Sequence, residues 1–120
     1  MSQFSFLQSE FSAVYELARK AETAALTDPR GSCFYARLAL ESAVKWMYAN
    51  DRSLRSPYDT ALSALIHEGT FRTLVGHGIV TKARIIKDLG NTAVHETRPV
   101  AAQSAVTCVR ELFHFSYWLV

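Results

Sequence analysis

Apolar residues recur at steps of three and four in four separate stretches of this chain, and that spacing directs it towards a bundle of amphipathic helices. Such steps return a side chain to the same side of a helix, whose residues advance about 100° each. In the first stretch Phe4, Leu7, Phe11, Val14, Ala18, Ala21 and Ala25 form one stripe, which predicts a helix ending near Thr27. Asp28-Pro29 then reads as an N-cap followed by proline at the first helical position. Gly31 weakens that opening turn, so regular helix is expected from about Ser32 to Ala49. This second stretch is apolar almost all round, with Ala36, Leu40, Ala43 and Met47 on one side and Phe34, Leu38, Ala39 and Trp46 covering others. Only Arg37, Glu41 and Lys45, four apart, mark a charged edge; each opposite pair favours a helix by about 0.2–0.5 kcal/mol. So narrow a polar edge belongs to the central, most buried helix.

Asn50 to Tyr58 reads as a polar connection. A short helix is expected from Asp59 to about Glu68, stopped by Gly69, with another turn or two from Thr70 to Val75. Gly76-His77-Gly78 breaks the chain again, and His67 and His77 read as loop residues. A helix follows from about Val80 to His95. The last runs from about Pro99 onward, with Ala102, Ala105, Val106, Val109, Leu112, Phe113 and Ser116 on one side. No alternating run and no hairpin turn signals a strand. The expectation is an all-α bundle of four main helices with one or two short ones between. At 120 residues, 49% of them hydrophobic, the chain has material for one core and one domain, residues 1–120.

The opening MSQFSFLQSE has no basic lead followed by a long apolar run, so it does not read as a signal peptide. No apolar stretch reaches the roughly eighteen residues that span a bilayer. A cytoplasmic location is expected, with no membrane partner. Cys33 and Cys108 have neither C-x-x-C nor Cys/His ligand spacing and lie among apolar neighbours, so both read as small, buried, reduced hydrophobes. No His, Asp or Glu cluster has metal-ligand spacing. Net charge is +2, but residues 1–28 carry −2 and residues 72–98 carry +3, a mild basic bias in the second half. The final stretch is strongly aromatic with no polar tail, which suggests that another domain follows.

The helix expected at 80–95 carries the most information. Ala83, Ile85, Ile86, Leu89, Gly90, Ala93 and Val94 fall on one half, and Arg84, Lys87, Asp88, Asn91 and His95 form a polar stripe on the other. Glycine costs about 1 kcal/mol against alanine inside a helix, so Gly90 in the apolar half implies a packing reason, the close approach of another helix.

Lys82–His95, KARIIKDLGNTAVH, resembles the signature of the HEPN-like domain at the N-terminus of type I restriction enzyme R subunits: a basic-aliphatic lead, a Gly-Asn pair, three residues and a histidine. FSFLQSEF at the start, CFYARLALESAVKWMY in the second helix and CVRELFHFSYWLV in the last resemble other stretches of that family in the same order. The resemblance implies a HEPN-like bundle and a parent enzyme that translocates and cuts foreign DNA, using ATP and magnesium. It also implies partners: the rest of the R subunit, methyltransferase and specificity subunits, DNA, and a second copy in a homodimer.

HEPN proteins that cut RNA place arginine, a polar residue, three residues and a histidine in this helix. By that resemblance the histidine assists attack by the 2′-hydroxyl and the arginine holds the phosphate, without a metal. His95 takes the histidine position and Asn91 the polar one, but Gly90 stands where the arginine would be. That departure removes a transition-state contact worth several kcal/mol in comparable sites. Lys87, one turn earlier, offers a point charge instead of a bidentate fork. The expectation is therefore no catalytic residue, with Arg84, Lys87, Asn91 and His95 as candidate partner or nucleic-acid contacts and Gly90 as a structural residue. The plainer reading of Asn91 and His95 is a mutual side-chain hydrogen bond that fixes helix packing. Arg72 and His77 match the same pattern by chance across a glycine-broken turn, and Arg110 with His114 reads as a surface neighbour contact. No G-x-x-x-x-G-K-[ST] loop is present to cradle ATP, and no paired acids precede a lysine as in a nuclease centre. Motor and nuclease would both lie outside this segment.

Overall fold

The computed structural model describes residues 2–120. After a 3-10 turn at Ser5–Leu7, it contains α1 (Ser12–Ala24), α2 (Pro29–Asn50), α3 (Leu62–His67), α4 (Gly69–Val75), α5 (His77–His95) and α6 (Ala102–Leu119). Four long helices and two short ones make an all-α bundle. Its radius of gyration, 13.6 Å, equals the value of about 14 Å expected for one domain of this length. Among the described residues, no helix is long and apolar enough to cross a membrane.

The first stripe is buried almost as expected, but it does not form one helix. Phe4, Leu7 and Phe11 reach the core from turns, and α1 begins only at Ser12. The cause is local competition for backbone groups: Ser2 Oγ accepts from Phe4 N, and Ser5 Oγ donates to the carbonyl of Ser2. Phe4 and Phe6 then meet Phe113 of α6 edge-on, at 6.0 and 5.7 Å between ring centres.

α2 starts three residues earlier than its glycine suggested. The Asp28 carboxylate accepts from Gly31 N at 3.0 Å, and a Cβ at Gly31 would lie 2.2 Å from Asp28 Oδ2. The glycine makes room for the cap instead of weakening the helix. α2 packs against α1, α5, α6 and α3, which makes it the central helix. Ser32, buried on it, donates to the Ala21 carbonyl at 2.7 Å. The helix is less enclosed than its composition implied, because Phe34 and Trp46 stay 41% and 44% exposed.

The first short helix is trimmed to Leu62–His67, because Glu68 turns its carboxylate onto the amides of Thr70 and Phe71 and caps α4. His67 is therefore a helical residue, its Nδ1 2.7 Å from the carbonyl of Ser63. His77 is also helical, since Gly76 (φ +85) takes the whole turn and α5 begins directly after it. Tyr48 donates to the Leu65 carbonyl at 2.5 Å; burial and nearby Glu68 push its hydroxyl pKa up to about 12.

α6 is rotated from the side its sequence favoured. Ala105, Val109, Leu112 and Ser116 are buried as expected, but Ala102 and Val106 are exposed while Cys108 and Phe115 point inward. Cys33 and Cys108 are both buried and unbonded to any disulfide partner. Their contact, together with burial, pushes the Cys108 thiol well above its usual range and keeps it protonated.

Candidate functional site

The signature helix lies against α2 through the residue that sequence marked. Gly90 is buried, and a Cβ built there would sit 2.6 Å from Arg37 Cβ and 2.8 Å from its Cδ. The α5 backbone thus rests on the aliphatic stem of Arg37. The volume that a side chain at position 90 would enter is already occupied. Arg37 Nη1 reaches Glu41 at 3.9 Å, Glu41 continues to Lys45 at 3.6 Å, and Arg37 Nε is buried without a partner.

Beside this seam run the four candidate contact residues. Lys87 is half-buried and its Nζ lies 2.9 Å from Asp88 Oδ1. Arg84 is exposed, and among the described residues it makes no ion pair. Asn91 is half-buried, and His95, the last residue of α5, is exposed. The expected hydrogen bond between Asn91 and His95 is not made: the helix ends at His95, backbone turns extended at Glu96 (φ −101, ψ 145), and the imidazole faces solvent. Arg98, counted in the basic patch, binds Glu96 at 2.8 Å. Of Arg84, Lys87 and Arg98, only Arg84 therefore offers an uncompensated charge.

Two further ties position α5, and the sequence reading missed both. Arg30, in the first turn of α2, donates to the carbonyls of Ala93, Glu96 (2.8 Å) and Arg98. A cation in a first helical turn opposes the macrodipole, whereas at a helix C-terminus it is favourable. Arg30 leaves its own helix start to cap the end of α5. That mismatch was the available signal. Lys82, at the head of the signature, donates to Glu111 Oε2 of α6 at 2.9 Å and lies 3.3 Å from His114 Nδ1. Burial alone would push the Glu111 carboxyl up, but the hydrogen bond from Lys82, with Arg110 and His114 nearby, outweighs it and leaves the group below its usual range. This also explains why Arg110 and His114 do not pair: Arg110 turns to Glu111 at 3.5 Å and His114 to Lys82. No sequence signal joins positions 82 and 111.

The Arg72/His77 match spans two helices and the Gly76 turn, so it presents no single helical face. Among the described residues no three His, Cys, Asp or Glu side chains gather as metal ligands.

The domain family described as DUF4145, a domain of unknown function, matches residues 19–117. The chain belongs to this family. The match runs from within α1 to near the end of α6, so the DUF4145 region contains the whole α2–α5 seam, Gly90 and the polar edge of α5. No curated protein and no solved structure matches the chain.

Proposed function

We propose that this DUF4145 domain is a non-catalytic, cytoplasmic docking or DNA-contacting module with a HEPN-like bundle, of the kind at the N-terminus of type I restriction enzyme R subunits. The ordered resemblance of four stretches, centred on Lys82–His95, supports the parent. The non-catalytic part is carried by one observation: the Arg37 stem fills the space over Gly90, at the position where the RNA-cutting HEPN proteins that the sequence resembles have an arginine. His95 and Asn91 then lack the motif cation that would neutralise a scissile phosphate. Lys87 is committed to Asp88.

In this reading ATP, magnesium, motor and nuclease belong to other parts of the parent enzyme. The domain serves by association, with the specificity and methyltransferase subunits or a second copy as further partners. Counterion release from several phosphates requires several free cations, and the edge of α5 offers few. Titration of labelled duplex DNA and single-stranded RNA at physiological salt should give weak, salt-sensitive binding at or above about micromolar, with both substrates intact afterwards. Nanomolar binding to either, or cleavage abolished by His95→Ala, contradicts the proposal and favours a free-standing HEPN ribonuclease. The parent is tested separately by the gene: a frame continuing past codon 120 into translocase and nuclease motifs is expected, and an immediate stop contradicts it.

A further inference from the structure

Cys33 and Cys108 are far apart in sequence, yet they meet in the core. Both are fully buried, Cys33 in the second turn of α2 and Cys108 near the middle of α6, two helices that pack against each other. Small buried residues flank them, Ser32 and Ala36 on α2 and Ala105 on α6, which leaves room for the two backbones to approach. The Cys108 sulfur also lies 4.0 Å from the Ile86 carbonyl of α5, so the thiols sit where three helices converge. Neither is joined in a disulfide. Contact gives each sulfur a high effective concentration about the other.

We infer that Cys33 and Cys108 form an internal dithiol switch, which a peroxide closes into a disulfide tying α2 to α6. The Cys33 thiolate attacks one peroxide oxygen and the O–O bond breaks. Hydroxide leaves, takes up the proton that Cys33 gave up, and the sulfur is left as a sulfenic acid. Cys108 then attacks that sulfur; the S–O bond breaks, the Cys108 proton goes to the departing hydroxide, and a disulfide and water remain. The two thiols have lost two electrons and the peroxide has gained them. The order follows from the pair itself. The Cys108 S–H donates to Cys33 and holds that thiol below its usual range against the opposing effect of burial, whereas Cys108 stays protonated. A peroxide suits a close-packed core better than a larger disulfide oxidant, because its intermediate adds only one oxygen atom. The closed loop contains α3, α4 and α5, and closing so long a loop stabilises the fold by restricting the unfolded chain. The inference uses neither edge of α5 and stands apart from the restriction-enzyme reading.

The test adds hydrogen peroxide to the reduced, intact chain in native buffer, then alkylates the remaining thiols before mass spectrometry. The protein should lose about 2 Da and both alkylation sites, and a digest should hold the Cys33 and Cys108 peptides joined until dithiothreitol separates them. The urea midpoint should rise on oxidation and return on reduction. In urea concentrated enough to unfold the chain, the same dose should give far less of the joined pair, because the contact is gone. Cys108→Ala should stop at a sulfenic acid on Cys33, trapped by dimedone, and Cys33→Ala should leave Cys108 unoxidised. The wild-type digest decides the matter even where an alanine variant fails to fold. Native thiols left intact at a dose that oxidises the unfolded chain overturn the inference. So do sulfinic acid without a disulfide, a disulfide between copies, a joined pair that forms better in urea, or a midpoint that falls on oxidation.

Discussion

The polar edge of α5 and the outer stripe of α6 are both solvent-facing sides of long helices, yet their residues are committed very differently. On α5 nearly every charged group has a partner: Lys82 holds Glu111, Lys87 holds Asp88, and Arg30 comes from α2 to close the helix end. On the outer side of α6 apolar residues stay open to solvent: Val106, Tyr117 and Val120 are exposed, Tyr117 meeting only the rings of Phe6 and Phe113, while Phe113 also packs with Phe4, Phe6 and His114. The helix bearing the recognisable motif is therefore the one whose chemistry is spent on holding the bundle together. Under the proposed reading, Asn91 and His95 lack the cation that the RNA-cutting proteins resembled here place beside them, and the space at Gly90 is taken by the Arg37 stem.

The largest effect that could break this contrast comes from restoring the motif. Gly90→Arg should destabilise the domain by about 3 kcal/mol or more, because it forces a charge and a long side chain into the seam over Arg37. Chemical denaturation measures it, and an unchanged midpoint together with new RNA cleavage contradicts it. Arg30→Met should cost about 1–3 kcal/mol, because three carbonyls at the end of α5 lose a charged donor while the apolar stem is kept. Hydrogen exchange should quicken at residues 93–98 first; uniform exchange along α5 would show that Arg30 does not cap it.

Glu111→Gln sharpens the comparison through pH. The folded carboxyl is held below 4.5 while the unfolded one is ordinary, so the unfolded chain takes up its proton first as pH falls. The stabilisation is fully present above the unfolded value and is lost as pH falls through the lower folded value. The variant should lose on the order of 1 kcal/mol at neutral pH and progressively less as pH falls below 4.5, so the gap between the two acid-unfolding curves closes as pH falls. A gap that stays constant with pH would remove Lys82–Glu111 from the account.

Much of this architecture was legible in advance, for physical reasons that also mark the limits. Four helices followed from the three-four spacing of apolar residues, and Asp28-Pro29 announced the start of α2. Gly90 signalled a close approach, because glycine inside a helix requires a compensating contact, although the partner, Arg37, could not be named. The inner side of α6 could not be read: Val106, Phe113 and Tyr117 on one side are as apolar as Cys108, Leu112 and Phe115 on another. Phe4 to Phe11 misled for a different reason, since a turn delivered the same side chains to the core as a helix would. The Asn91–His95 bond was a local inference about a helix end, and local inference missed that Arg30, more than sixty residues away, holds that end.

The Gly90–Arg37 contact is the central claim, and a double-mutant cycle tests it most directly. Unfolding free energies are measured for Gly90→Ala, Arg37→Ala and the two together. With the close approach present, Gly90→Ala alone should destabilise the domain by about 1–3 kcal/mol, since its Cβ meets the Arg37 stem at 2.6 Å. Most of that loss should vanish when position 37 is alanine only if the displaced atoms are Arg37 Cγ and Cδ; the Cβ contact leaves a remainder. The predicted result is that the double variant loses less than the sum of the two single losses, by about 1 kcal/mol or more. If Gly90→Ala instead stabilises the chain by about the 1 kcal/mol of helix propensity, whatever stands at position 37, the packing account of the missing arginine is wrong.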